Sequence, residues 1–223
     1  MSLTFRYTVL TLLCGLFIMQ SVAVAQDKSA QPQAGKPDKT DKSDKIEKTD
    51  KATNGLAPIT LDDLAINFPD VEGWERSEIQ KYPTEDMGFS INYESRQGGK
   101  VTIYVYNGGK KKIDDGVTDK VIKEELNKAK GEIQKVADLG YYPNLKELKN
   151  ETVTLGGTSG KHKVLYTLYN FGAEDKYVAS EIYIFGHKNR FIKIRATRLR
   201  DKNEDGNKMV ADLLKEIDLF FSN

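Results

Sequence analysis

Two segments near the middle of the chain alternate apolar and polar side chains with a period of two. In GFSINYES (88–95) the alternate residues Phe89, Ile91 and Tyr93 are apolar or aromatic, and KVTIYVYN (100–107) repeats this pattern with Val101, Ile103 and Val105, after a turn at Gly98-Gly99. Period-two alternation on both sides of a short glycine turn is typical of an antiparallel hairpin with one buried face. The two segments therefore predict neighbouring strands.

The period then changes to that of a helix. Apolar residues recur every three or four positions from Val121 to Ala137, with lysines and glutamates between them. Start signals lie between Asp114 and Asp119, and Gly140 is a typical helix stop. A second stretch of this kind, from Met209 to Phe221, closes the chain. Two long amphipathic helices are predicted.

Four β-rich stretches lie between these helices, joined by turns rich in glycine and asparagine. We place them near 147–155, 161–171, 176–186 and 190–199. Upstream, Trp74 opens a further strand that ends before Pro83, and Thr60 to Leu64 is predicted to form a short helix with Thr60 as its N-cap.

The predicted order is β-β-β-α-β-β-β-β-α, which is typical of an α+β fold. Strands in runs joined by tight turns indicate an antiparallel sheet of about six to seven strands covered by the two long helices. Lys176 to Gly186 carries large apolar residues in both registers. One helix on each face of the sheet would explain this pattern.

The N-terminal 25 residues read as a secretory signal peptide. An apolar stretch from Tyr7 to Met19 is followed by the small residues Ala23-Val24-Ala25. We expect cleavage between Ala25 and Gln26 and export to the periplasm or the medium. An uncleaved anchor is the alternative, but about 13 apolar residues are fewer than the roughly 20 that span a bilayer. Cleavage would leave no transmembrane span.

A repetitive linker follows the signal peptide. Residues 26–55 repeat an acid and a lysine with a period of three and contain no aromatic residue. Such a segment has too little apolar surface to offset the conformational entropy lost when a chain becomes ordered, so we predict a disordered spacer. An arm that binds a charged surface is the alternative, but its alternating signs nearly cancel at a distance. The remaining residues, 56–223, are predicted to form one α+β domain.

Composition narrows the possible functions. The whole chain has 34 Lys plus Arg and 33 Asp plus Glu, a formal net charge of +1, whereas proteins that bind nucleic acid usually show a basic excess. We therefore expect no nucleic-acid partner. Cys14 is the single cysteine and lies inside the predicted signal peptide. The mature chain would then have no disulfide, no cysteine metal ligand and no cysteine nucleophile.

The order of the elements resembles that of the PsbP-like α-β-α sandwich proteins. The residues that carry the resemblance are GFSINYES, KVTIYVYN, the long helix, and EIYIFGHKNRFIKIRATR before a terminal amphipathic helix. That superfamily includes extrinsic photosystem subunits, a Ran-binding nuclear-import factor and exported bacterial proteins. The resemblance covers most of residues 70–221 but includes no diagnostic motif. It implies an accessory or docking role rather than catalysis.

Signals for catalysis are weak in this sequence. His162 and His187 are the two histidines, and both are predicted to be solvated residues at turns. Two distant histidines do not supply a zinc site, and no phosphate-binding glycine motif is present in the sequence. Glu124 and Glu125 are predicted on the polar side of the first helix. We predict no catalytic residue, although a site built from dispersed residues stays open.

The last strand carries a basic stripe that could bind a partner. RFIKIRATRLR places Lys193 and Arg195 on one side, with Arg198 further along. These cations are candidates for binding an anionic partner, and the alternative is a solvated face or a charged, guarded edge. Tyrosines also recur on the strands, where they would line a groove or pack across strands. They are Tyr104, Tyr106, Tyr166, Tyr169, Tyr177 and Tyr183.

The segment DKNEDGNKMVAD (201–212) resembles the start of a calcium loop. Oxygen ligands in such loops come from the first, third, fifth and twelfth positions, here Asp201, Asn203, Asp205 and Asp212. Lys208 stands where an apolar residue is normal, and a strand precedes the loop instead of a helix. The alternative is a polar turn that caps the last helix. No other cofactor is predicted.

Two functions therefore stay open at the level of sequence. The first is an exported, non-enzymatic accessory or binding module that docks a protein or cell-envelope component through its sheet face or an adjacent groove. The second is a hydrolase or small-ligand-binding protein with dispersed site residues. A shallow patch around Arg195 and the tyrosines would favour the first, and a pocket with converging carboxylates or His162 would favour the second.

Overall fold

Among the residues that the structure describes, eight strands form one antiparallel sheet and two α-helices accompany it, so the predicted α+β class is confirmed, with eight strands where about six to seven were predicted. The structure is a computed structural model that describes residues 59–61, 64, 66–157, 161–173, 176–200 and 205–221. The predicted signal peptide and linker lie outside these residues. The strands are β1 (Ile59–Leu61), β2 (Ile66–Phe68), β3 (Trp74–Arg76), β4 (Gln80–Lys81), β5 (Phe89–Ser95), β6 (Gly99–Tyr106), β7 (Lys146–Thr154), β8 (Lys163–Ala173), β9 (Lys176–His187) and β10 (Arg190–Arg200).

The strand order across the large sheet is β3-β5-β6-β10-β9-β8-β7, with β4 also paired to β5. The hairpins β5-β6, β7-β8, β8-β9 and β9-β10 join strands that follow one another in sequence. The pairing of β10 with β6 connects the two sets of hairpins into one open sheet. The strand β10 is therefore central, between β6 and β9. The helix α1 (Lys120–Asp138) and the helix α2 (Asp205–Phe221) complete the domain.

The two helices lie on opposite faces of the sheet. Val210, Leu213 and Ile217 of α2 pack in one cluster with Ile103 and Ile194 from the sheet. On the other face, the hydroxyl of Tyr106 donates a hydrogen bond to Glu125 of α1. Side chains alternate between the two faces along each strand, so β9 needs apolar residues in both registers. This is the pattern that the sequence shows between Lys176 and Gly186.

The limits of α1 follow the predicted signals. The side chain of Asp119 accepts a hydrogen bond from the backbone N–H of Val121 at 3.1 Å and so caps the helix. Gly140 has a φ of 84°, a left-handed conformation that glycine adopts without strain, directly after the last turn.

Two predictions in the N-terminal part are wrong. Residues 59–61 form a strand paired with 66–68 where the start of a helix was predicted, because alternate residues of this segment pack against the core on the α2 side. Leu64, at the end of the predicted helix, has a 3-10 helical conformation. The strand predicted from Trp74 to Pro83 is divided into β3 and β4, which pair with different parts of β5. Between them the chain leaves strand pairing, although the backbone N–H of Ser77 still donates to the carbonyl oxygen of Asn92.

Candidate functional site

The sheet presents a largely apolar face to α2. Its α1 face is mixed: the surface on β5, β6 and β10 is largely polar, and it adjoins the buried Ile182 and Ile184 of β9. On the apolar side of β5, β6 and β10, Ile91, Ile103 and Ile194 are cross-strand neighbours with no exposed surface. On the other side, three successive rows of neighbours are largely polar. We call these rows the polar face: Ser90, Tyr104 and Lys193; then Asn92, Thr102 and Arg195; then Glu94, Lys100, Thr197 and Ser180.

Several small polar side chains of the polar face are buried. Ser90, Thr102, Ser180 and Thr197 are each less than a tenth exposed. A buried polar group is costly without a hydrogen bond, and the described contacts provide bonds for three of them. The hydroxyl of Thr102 donates to Oδ1 of Asn92 at 2.7 Å, Ser90 bonds with Tyr82 at 2.9 Å, and Ser180 accepts from Arg195 at 3.3 Å. The floor of this face is therefore ordered.

Lys193 lies on this floor with its ammonium over aromatic rings. Its Nζ is 5.0 Å from the ring centre of Tyr104 and 5.1 Å from that of Tyr106. Among the described residues, no carboxylate lies within 4 Å of Nζ and no hydrogen bond is made by it. Burial lowers the pKa of the Lys193 ammonium, against the raising influence of Glu132 and Glu125 on α1. This cation is desolvated without a close counterion.

Arg195 lies two residues further along β10, on the same face. Its Nη2 donates to Oγ of Ser180 at 3.3 Å. The positive charge of Arg195 also acts on Lys193 and Tyr169. It lowers the pKa of the Lys193 ammonium and opposes the rise in the pKa of the Tyr169 hydroxyl. The predicted basic stripe therefore places Lys193 and Arg195 together, half-buried, in the middle of a polar surface.

Arg198 does not belong with these two residues. The alternation along β10 puts it on the opposite face, where it is 8% exposed. Its Nη1 and Nη2 donate to the two carboxylate oxygens of Glu181 at 2.6 and 3.2 Å, and Glu181 also accepts from the hydroxyl of Tyr166. Its burial in this pair argues against the predicted partner-binding role of Arg198.

The helix α1 provides a wall beside the polar face. Glu125 of α1 is 8% exposed, although the sequence predicted it on the polar side of the helix, so that prediction is wrong. Its carboxylate faces the sheet, where it accepts a hydrogen bond from the hydroxyl of Tyr106 at 2.7 Å. The ammonium of Lys128 lies 3.9 Å from the same carboxylate. Further along the helix, Lys130 forms an ion pair with Glu147 of β7 at 2.9 Å. Charges of both signs therefore border the polar face.

The tyrosines serve several purposes rather than forming one groove. Tyr166 and Tyr183 pack against each other with ring centres 4.9 Å apart, on the face away from Lys193. Tyr104 and Tyr106 form the surface under Lys193, and Tyr169 donates to Glu147 at 3.1 Å. Burial raises the pKa of the Tyr106 and Tyr169 hydroxyls, with Glu125 and Glu147 adding to the effect. Tyr177 is 42% exposed.

The two histidines lie together, but away from the polar face. Their ring centres are 6.1 Å apart, and His162 stacks on Phe185. His187 is 6% exposed and shares a hydrogen bond with the carbonyl oxygen of Leu64, so the prediction of a solvated His187 is wrong. Leu64, whose carbonyl oxygen meets the ring, is one of the residues that lie against His187. Along β9, His187 belongs to the α2 side of the sheet.

The proposed calcium ligands are only partly described. Asp201 and Asn203 lie outside the described residues, and α2 begins at Asp205, whose side chain is also outside them. Asp212 is within α2, where its carboxylate accepts hydrogen bonds from Lys208 at 2.7 Å and Lys215 at 3.3 Å. These two bonds lower the pKa of Asp212 and occupy both of its oxygens. The described residues therefore test neither the calcium site nor the alternative of a turn that caps the last helix.

A groove of about 660 Å³ lies beside α2 and includes Asp212. Its other walls come from the 70–74 loop and the 95–97 turn. Trp74 contributes part of its surface, and four carboxylates line it: Asp70, Glu72, Asp212 and Glu216. This groove is the feature that favours the alternative of a site built from dispersed residues, although Asp212 is already paired with Lys208 and Lys215. The described residues contain no group of three or more histidine and acidic side chains arranged for a metal.

Comparisons with known proteins found no family model and no curated protein that match this chain. Among the described residues, neither helix combines the length and apolar character needed to cross a membrane.

Some site residues were visible in the sequence and others were not. The alternation in 88–95 and 100–107 already put Ser90, Asn92 and Thr102 on one side, and RFIKIRATRLR put Lys193 and Arg195 on one side. Pattern alone does not pair β6 with β10 across the 83 residues between Tyr106 and Arg190, so the two sets could not be joined. Glu125 was missed because its environment depends on Tyr106 from that pairing.

Proposed function

We propose that this chain is an exported, non-enzymatic binding module that docks a protein or cell-envelope component through its polar face. The observation that carries the proposal is Lys193, a half-buried cation on a floor of hydrogen-bonded polar side chains, with Arg195 beside it. The resemblance to PsbP-like proteins implies the same class of role, and fold alone would not establish it.

The burial of the Lys193 ammonium has a free-energy cost that a bound partner would reduce. A cation that is taken out of water without a close carboxylate raises the free energy of the folded chain. The contacts with Tyr104 and Tyr106 offset a part of this cost. An anionic group from a partner would provide the missing counterion, so the cost is recovered when the partner binds. Residues kept for function are often ones that reduce stability in this way.

The position of the histidines also supports docking over hydrolysis. His162 and His187, the obvious acid–base groups of the chain, are on the α2 side of the sheet, whereas Lys193 and Arg195 are on the α1 side. The polar face therefore gathers cations, hydroxyls and tyrosine rings in one surface. Such a set binds anionic and polar groups through several contacts.

A capture experiment with the full chain tests this proposal. The immobilised wild-type chain is incubated with envelope extract beside a variant with Lys193→Gln and Arg195→Gln, and both are checked for equal folding by circular dichroism. Lys149→Gln is the control, because Lys149 is an exposed lysine on β7. We expect a partner that wild type and control retain and that the double variant binds about tenfold more weakly, a loss of about 1.4 kcal/mol.

The salt dependence of capture gives a second readout. Retention by the wild type should fall as ionic strength rises, because the proposed contacts are between charges. Equal retention by wild type and double variant, at every salt concentration, would mean that the polar face is not the docking surface.

A further inference from the structure

We propose that the polar face recognises an extended peptide segment with acidic side chains at alternating positions, whose carboxylates contact Lys193 and Arg195. This inference rests on the proposed docking function and names its ligand chemistry. The first argument is spacing. Lys193 and Arg195 are two residues apart on a regular strand, so their Cα atoms are about 6.6–6.8 Å apart along β10.

An extended peptide has the same repeat. Its side chains alternate sides, and residues two apart lie on one side about 6.6–6.8 Å from each other. Two acidic residues separated by one other residue would therefore present their carboxylates in register with the two cations. Two adjacent acidic residues would present only one of them, because the second would point away from the sheet.

The chemistry at each cation suits a carboxylate. Lys193 has no carboxylate within 4 Å among the described residues, so a carboxylate of the bound peptide would become its close counterion. Arg195 donates a hydrogen bond from Nη2 to Oγ of Ser180 at 3.3 Å, which restricts the orientation of its guanidinium. A guanidinium is planar and presents several N–H donors that match the two oxygens of a carboxylate.

The surroundings disfavour densely charged polyanions. Glu125 and Glu132 of α1 act on Lys193 from the wall, since both raise its pKa. Glu94 and Glu147 stand at the two ends of the third row, where Glu147 follows Tyr169 beyond Ser180. A phosphate polymer or an anionic membrane would place negative charge near all four glutamates. A peptide with two isolated carboxylates would meet the cations and avoid most of this repulsion.

The test measures how the full chain binds three hexapeptides, each with blocked ends and a fluorophore. The sequence Ser-Glu-Val-Glu-Val-Ser has alternating acids, Ser-Glu-Glu-Val-Val-Ser has the same composition with adjacent acids, and Ser-Gln-Val-Gln-Val-Ser has none. Fluorescence anisotropy gives the three affinities at low salt. We expect the alternating peptide to bind at least about fivefold more tightly than the adjacent one, with the uncharged peptide weakest.

Variants locate the contact on the chain. Lys193→Gln and Arg195→Gln should each remove the preference for the alternating peptide, and Lys149→Gln should leave it unchanged. Lys193→Arg keeps the charge and should retain most of the preference. Equal affinity for the alternating and adjacent peptides, or a preference that survives both glutamine variants, would overturn the inference.

Two further probes separate this inference from the docking function. Inorganic phosphate and phosphatidylglycerol vesicles are titrated against the same variants. If either binds through Lys193 and Arg195 and the alternating peptide does not, the peptide inference is wrong and the docking function stands. If no probe and no captured partner depends on these two residues, both proposals are wrong.

Discussion

Replacing Arg198 by methionine tests whether this residue belongs to the core of the domain or to a partner surface. Arg198 and Glu181 are 8% and 6% exposed and form a bidentate ion pair at 2.6 and 3.2 Å. In Arg198→Met the carboxylate of Glu181 stays buried and keeps the hydroxyl of Tyr166 as a donor. Neutral hydroxyl donors, here Tyr166 and the neighbouring Tyr183, do not compensate a buried negative charge.

The expected loss of stability is large. Removing one partner of a buried ion pair costs about 3–5 kcal/mol. For a domain of this size, each kcal/mol corresponds to about 2–4 °C in the melting temperature, so the loss is about 6–20 °C. The double variant Arg198→Met with Glu181→Leu removes both charges and should recover at least about half of the loss, because no uncompensated charge remains.

Urea unfolding followed by tryptophan fluorescence measures both variants. Trp74 is the one tryptophan of the chain and is 3% exposed, so its emission reports unfolding of the sheet. Arg96→Met is the matched control at an exposed arginine and should change stability by less than about 0.5 kcal/mol. A loss below about 1 kcal/mol in Arg198→Met, or a double variant as unstable as the two single changes added together, would refute the core assignment.

Three other predictions concern the cap, the histidine and the metal. Asp119→Ala should cost about 1 kcal/mol in urea unfolding through loss of the bond to the N–H of Val121, and Asp119→Asn should restore most of it; no difference between the two variants would contradict the cap. Burial lowers the pKa of His187 below its ordinary 6.5, so the neutral form favours folding, and its contribution should be complete above pH 6.5 and decline as the pH falls from there through the folded-state pKa. His187→Gln should flatten that part of the stability profile, and a profile unchanged from wild type would show that another group titrates. Calcium and chelator should give the same melting temperature, whereas a rise with calcium that Asp201→Ala abolishes would establish the loop as a metal site.

The fold was predictable from the sequence where local patterns are strong. The alternation in β5 and β6 and the helical period of α1 gave nearly correct limits, since periodicity and turn residues act over a few positions. The segment around Thr60 failed because a threonine followed by acids imitates a helix cap. Its actual strand conformation is determined by pairing with residues 66–68 and by packing on the core.

The candidate site was predictable only in part, because it joins strands that are distant in the chain. The stripe of Lys193 and Arg195 was visible as an alternation in one strand. Its floor of Thr102 and Tyr104 required the pairing of β10 with β6, which no local pattern reveals. Arg198 lies on the same strand, but its register places it on the face opposite to Lys193 and Arg195.

Site-specific photocrosslinking tests the docking function most directly. A photoreactive amino acid is placed at Asn92, on the polar face, and in a second chain at Lys215, an exposed position of α2 on the opposite side of the sheet. Each chain is irradiated in envelope extract, with and without Lys193→Gln and Arg195→Gln. We predict a crosslinked product from position 92 that disappears with the two glutamine changes, and none from position 215. Products of equal yield from both positions, or a product at 92 that persists without the two cations, would contradict docking through the polar face.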